Sequence, residues 1–191
     1  WEENFGPTDF SFDRGDVHYV CINNCFFHRG MSYYSPGELR ERQVKWLKQN
    51  LALTSKDKKV VLCYHIPFTF GNAPFSKAKP LTNANEEGHY SSSRLSLLLS
   101  LLKPFKGGYE LFCGHTHFAC NHEINYEGED VMEHCHAAAC GNIWQSNINI
   151  CGTPNGYYVY SFVGTSISNC YYKGTFWDKS KQMTLFRAQT D

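Results

Sequence analysis

The stretch VVLCYHIP at residues 60–67 decides the fold class, because a short apolar run ends directly in a histidine. An unbroken apolar run of this length predicts a strand buried on both faces, as in the parallel sheets of α/β proteins. The stretch YELFCGHTH at residues 109–117 has the same form, with His115 and His117 after the strand. The carboxyl ends of parallel strands meet at one edge of a sheet, and imidazoles there can bind a transition metal. Together the two stretches predict a metal site at one edge of an α/β sheet.

The elements around these two strands support parallel pairing. Residues 16–23 predict a further buried strand, and a helix follows in which Ser35 is the N-cap, Pro36 the first residue and Glu38 part of a capping box. Three serines at residues 91–93 predict the start of a second helix, which ends at Pro104. Strands that alternate with helices in this way pair in parallel through crossover connections.

A different pattern begins after about residue 118. Strand-like runs separated by glycine-containing turns recur with no helix between them, at residues 122–126, 131–139, 156–163, 168–176 and 182–187. This pattern predicts antiparallel sheet, either as a layer of the same domain or as the start of a second small one. The fold class expected is therefore α/β, followed by a mainly antiparallel β region.

Composition narrows the class of protein. The chain has 191 residues, enough for one medium domain or for one domain with a small appendage. Its 18 basic and 18 acidic residues balance, so the charge gives no reason to expect a nucleic acid partner. No apolar run approaches the length of a membrane span. The sequence begins at Trp1 without a signal-like segment, and we expect a processed chain or an excised piece.

Nine cysteines occur, none of them in a C-x-x-C pair, so zinc ribbons and thioredoxin motifs are disfavoured. Cys21, Cys63 and Cys113 fall inside predicted strands, where buried free thiols are the favoured interpretation. A disulfide framework is open among Cys120, Cys135, Cys140, Cys151 and Cys170. The cysteine count does not decide the redox compartment. A location outside the cytoplasm, periplasmic or at the cell surface, is slightly favoured.

Several segments together resemble the C-terminal half of a calcineurin-like metallophosphoesterase. Residues 6–19, with Gly6-Pro7 before a strand, resemble the segment after the catalytic loop of that family, and residues 43–47 resemble its Q-x-x-W-L helix. The two histidine stretches resemble the last two metal motifs of the family. Residues 140–144 and 152–157 resemble a bacterial subgroup with an added C-terminal β domain.

The resemblance implies a fold, a site and a reaction. It implies an incomplete metallophosphoesterase-type α/β sandwich over residues 1–135 and a β-rich C-terminal region over residues 136–191. It implies that His65 and His115 bind one divalent transition metal ion (Mn, Fe, Zn or Ni) and that His117 binds a second. In this family two such ions catalyse the hydrolysis of phosphate mono- or diesters of small molecules.

The first-half motifs G-D-x-x-D and G-N-H-D/E of the family do not occur in this sequence. Its one D-x-H, Asp16-Val17-His18, is not a substitute for the family's first motif, because it opens a strand in the segment that follows those motifs. We therefore expect the chain alone to be impaired as a phosphoesterase. The alternatives are a non-catalytic β-rich binding module with a vestigial histidine cluster and, less favoured, a structural zinc site that uses Cys113 or Cys120. For His134 and His136, a surface or interface position is favoured over a place beside a substrate pocket.

Overall fold

The computed structural model describes residues 2–27, 34–36, 39–69, 92–140, 147–149 and 151–181. Its helices are α1 (Glu2–Phe5), α2 (Glu41–Leu53) and α3 (Ser92–Leu102). Its strands are β1 (Phe10–Arg14), β2 (Val17–Cys21), β3 (Cys25–Phe27), β4 (Tyr34–Pro36), β5 (Lys59–Cys63), β6 (Tyr109–Cys113), β7 (Cys120–Tyr126), β8 (Glu129–Cys135), β9 (Gly156–Val163) and β10 (Ser166–Gly174).

A six-stranded mixed sheet in the order β1-β2-β5-β6-β8-β7 forms the centre of the molecule. Strands β2, β5, β6 and β8 run parallel to one another, so their carboxyl ends share one edge. The outer strands β1 and β7 are antiparallel to their neighbours. With the separate β9–β10 hairpin, this sheet confirms the predicted α/β class followed by an antiparallel region, and it is consistent with an incomplete sandwich.

Helices α2 and α3 cover one face of the sheet. The α2 residues Val44, Leu47 and Leu51 recur at helical spacing and are buried, which confirms the apolar stripe expected from the sequence. They belong to the same core as the buried leucines of α3 and the strand residues Leu62 and Leu111. Because successive strand residues point to opposite faces, the residues between these core positions face the other side of the sheet.

The β9–β10 hairpin packs on that other face. The Tyr160 ring lies 4.5 Å from the Phe112 ring of β6, measured between ring centroids. Further along β9, the Phe162 ring meets the Tyr19 ring of β2 edge-on, at 6.3 Å. Strand β9 therefore crosses the sheet from β6 towards β2, and its first half lies near the carboxyl ends of the parallel strands.

The start of the first long helix was predicted wrongly. Ser35 and Pro36 do not open a helix but lie in β4, which pairs with β3. Helix α2 begins at Glu41, after Arg40 in an extended conformation, and the Gln43 side chain accepts a hydrogen bond from the Arg40 backbone N–H at 2.9 Å. A glutamine at the third helical position thus supplies the cap that the sequence assigned to Glu38, which lies outside the described residues.

Other differences concern sheet membership and the thiols. The sequence did not predict β1, and it did not place β8 beside β6 in the main sheet. No disulfide joins any of the nine cysteines, all of which the structure describes, and Cys113 is buried while Cys21 and Cys63 are only partly so. Ser91 and the predicted strand at 182–187 lie outside the described residues. Within the described part of the chain, we find no helix that is both long and apolar enough to cross a membrane.

Candidate metal centre

Two predicted metal ligands meet at the carboxyl ends of β5 and β6. His65 follows β5 and His115 follows β6, and the His65 Nε2 atom lies 3.1 Å from the His115 Nδ1 atom. Two nitrogens bound to one tetrahedral zinc ion at about 2.0–2.1 Å lie roughly 3.3 Å apart. The spacing of the two imidazoles therefore fits two ligands of a single ion.

The pKa shifts of both imidazoles favour the neutral form that binds metals. Burial lowers the pKa of His65, and the nearby His117 lowers it further. The pKa of His115 is also lowered, first by burial and then by the neighbouring His65 and His117. Electrostatic influence of His117 on both residues shows that all three histidines share one region of the structure.

The turn that carries His115 and His117 has an unusual backbone. Both residues adopt a positive φ, 70° for His115 and 59° for His117, a region that side chains other than glycine rarely occupy. Gly114 has an ordinary φ, and a Cβ atom there would meet only the His136 carbonyl oxygen, at 3.9 Å. The strained positions are thus the histidines themselves, and such strain concentrates at functional sites.

The His65–His115 pair is not by itself a full set of metal ligands. Among the residues that the structure describes, no three His, Cys, Asp or Glu side chains come together in a group that could hold a metal ion. The set of His65, His115 and His117 stays a prediction, supported by the His65–His115 contact. The donor chemistry, two imidazoles, suits Zn, Fe or Ni, whereas Mn prefers oxygen ligands.

The buried side chain of Asn24 fixes the backbone of His65. Its Oδ1 atom accepts hydrogen bonds from the backbone N–H groups of His65 and Ile66, both at 3.0 Å. Its Nδ2 atom donates to the Ile66 carbonyl oxygen at 2.7 Å. Three hydrogen bonds to one fully buried amide leave the segment after β5 little freedom, so the backbone that carries His65 is fixed.

Glu133, a fully buried carboxylate of β8, holds the next part of the same segment. It accepts hydrogen bonds from the Tyr64 hydroxyl at 2.5 Å and from the backbone N–H of Phe68 at 2.8 Å. It also accepts from the backbone N–H and the hydroxyl of Thr69. A buried carboxylate is tolerated only with such partners, and here they tie the loop beyond His65 to the sheet.

The carboxyl end of β8 adds a histidine whose position the sequence did not predict. His136 is half-buried, not a surface residue, and lines the same cleft as His65. Its Nε2 atom lies 2.7 Å from the Tyr160 hydroxyl oxygen, and burial lowers the pKa of His136 to about 4. A signal was present in the sequence, since His136 follows a strand as His65 does.

His122 and His134 lie apart from this pair. His134 points between Asn121 and Glu110, with 2.9 Å from its Nδ1 atom to the Asn121 Oδ1 atom. His122 is buried, with its Nε2 atom 3.1 Å from the Cys120 sulfur.

A comparison with protein families gives a match in the last third of the chain. Residues 133–191 match the family model described as C terminal of calcineurin-like phosphoesterase. The match begins in β8 and includes the β9–β10 hairpin. It confirms the resemblance to the C-terminal portion of calcineurin-like metallophosphoesterases that the sequence motifs indicated. None of the curated proteins compared with the chain matches it.

Proposed function

We propose that this chain is a portion of a metal-dependent phosphoesterase that hydrolyses phosphate mono- or diesters. His65 and His115 bind one divalent metal ion, and His117 binds a second. The observation that carries the proposal is the 3.1 Å contact between His65 and His115 on adjacent strand ends. The family match over residues 133–191 supports it independently.

The residues of this chain have separable roles in the proposed site. His65, His115 and His117 would hold two divalent ions, which supply Lewis acidity toward phosphate oxygens and an activated water. Asn24 and Glu133 are positioning residues, because they fix the segment that carries His65 and do not themselves reach the imidazole pair. Partial burial lowers the pKa of His65 and of His115, which favours the neutral form that coordinates a metal ion.

The chain alone is proposed to bind metal but to hydrolyse esters poorly. The family motifs that supply the bridging aspartate and the asparagine ligand do not occur in its sequence. After loading with Zn²⁺ or Mn²⁺, we expect bound metal by elemental analysis. With 4-nitrophenyl phosphate we expect the same rate for the unsubstituted chain and for His115→Ala.

Two results would contradict this proposal in different ways. Metal-dependent hydrolysis that falls on His115→Ala substitution would show that the chain is a competent enzyme without further ligands. No metal uptake under any loading condition would favour the other candidate, a non-catalytic β-rich binding module with a vestigial histidine cluster.

A further inference from the structure

A cleft of about 510 Å³ opens directly beside His65. It lies at the carboxyl ends of β5, β6 and β8, and the start of β9 forms its opposite wall. Its size is within the range of small-molecule sites. The residues that give it its chemical character are His65, Phe112, His136, Tyr158 and Tyr160.

Rings that already pack on one another form the walls of this cleft. The centroids of the Phe112 and Tyr160 rings are 4.5 Å apart, and those of His136 and Tyr158 are 4.9 Å apart. The His136–Tyr160 hydrogen bond fixes the two pairs relative to each other. The aromatic surface is therefore formed before any ligand arrives, which reduces the entropy lost on binding.

Tyr158 and Tyr160 present their rings to the cleft from one face of β9. Both rings contact His136, at 4.9 and 5.6 Å between centroids. Because successive strand residues point to opposite faces, the ring of Tyr157, which is 52% exposed, lies on the other face of β9.

Among the described residues that line the cleft, none is lysine or arginine, and the polar side-chain groups are hydroxyls, imidazoles and thiols. A second phosphate group would find no charged partner among these described residues, whereas a planar uncharged ring would find aromatic faces.

We propose that this cleft binds the aromatic ring of the substrate, so that the preferred esters are phosphates of aromatic alcohols. The inference rests on the proposed function, because the phosphate would be held at His65 and His115 while the ring enters the adjoining cleft. His65 belongs to both the imidazole pair and the cleft wall, which makes the two sites continuous.

Two unreactive probes, phenylphosphonate and methylphosphonate, test the proposal by calorimetric titration of the zinc-loaded chain. We expect phenylphosphonate to bind about fivefold to tenfold more tightly, as an aromatic contact provides. Tyr158→Ala should remove most of this preference, because the Tyr158 ring forms part of the cleft wall. Phe176→Ala is the control, since Phe176 is an exposed aromatic residue that does not line the cleft, and it should keep the preference.

An NMR measurement provides a second readout that does not depend on a variant. The Ala139 methyl group lies at the cleft, and a phenyl ring bound there should shift its resonance, while the Ala52 methyl of α2 should not move. Equal affinities for the two probes, or a preference that survives in Tyr158→Ala without any Ala139 shift, would overturn the aromatic cleft.

The measurements distinguish a wrong metal proposal from a wrong cleft proposal. If the chain binds no zinc, titration of the metal-free chain with phenol still tests the cleft through the Ala139 methyl resonance. A shift of the Ala139 resonance would support the cleft and contradict only the metal proposal. No shift would contradict both proposals. If zinc binds and the two phosphonates bind equally, only the aromatic specificity is lost.

Discussion

Glu133→Ala is expected to lower the free energy of unfolding by about 3 kcal/mol or more. The carboxylate is fully buried and accepts hydrogen bonds from Tyr64, Phe68 and Thr69. Its removal leaves these donors buried without an acceptor, and each such group costs about 1–3 kcal/mol unless water enters the space. Urea denaturation followed by circular dichroism measures the change.

A matched substitution separates the loss of this network from the loss of any glutamate in the strand. Glu129 lies in the same strand β8 but is exposed, so Glu129→Ala should change the free energy of unfolding by about 0.5 kcal/mol or less. Glu133→Gln keeps the volume, yet its amide group can accept fewer hydrogen bonds, and an intermediate loss is expected. A Glu133→Ala protein as stable as Glu129→Ala would show that the network does not hold the loop.

His115→Ala is expected to weaken Zn²⁺ binding by about 100-fold or more, since it removes a direct ligand and not an outer partner. The same loss is expected for His65→Ala, because the two imidazoles are proposed to share one ion. Competition with a chromophoric chelator measures the affinity. His134→Ala is the control, because His134 has its own partners in Asn121 and Glu110 and lies outside the pair. Equal affinities in His115→Ala and His134→Ala would contradict the assignment.

Local sequence patterns predicted the parts of the fold that depend on local physics. The apolar runs before His65 and Gly114 form the central parallel strands β5 and β6, and the spacing of Val44, Leu47 and Leu51 predicted the buried face of α2. The two histidine stretches converge because parallel strands end at one edge, a geometric consequence that needs no knowledge of the side-chain packing.

Features that depend on pairing between distant segments could not be predicted in this way. Asn24 and Glu133 lie 41 and more residues from the backbone that they hold, and nothing near them in the sequence shows these partners. The helix begins at Glu41 and not at the predicted Ser35, because residues 34–36 pair with β3 as a strand. This pairing overrides a favourable capping sequence. The sequence favoured a surface or interface position for His136, because its partner Tyr160 reaches it only when β9 crosses the sheet.

The central claim is that His65 and His115 bind the same metal ion. Long-range ¹⁵N–¹H spectra of the histidine side chains, recorded as Zn²⁺ is added to the unsubstituted chain, test it most directly. We expect the His65 Nε2 and His115 Nδ1 signals to shift together at the first equivalent, with those of His122 and His134 unchanged. Zinc that binds without moving the His65 and His115 signals, or that moves those of His122 or His134 instead, would contradict the claim.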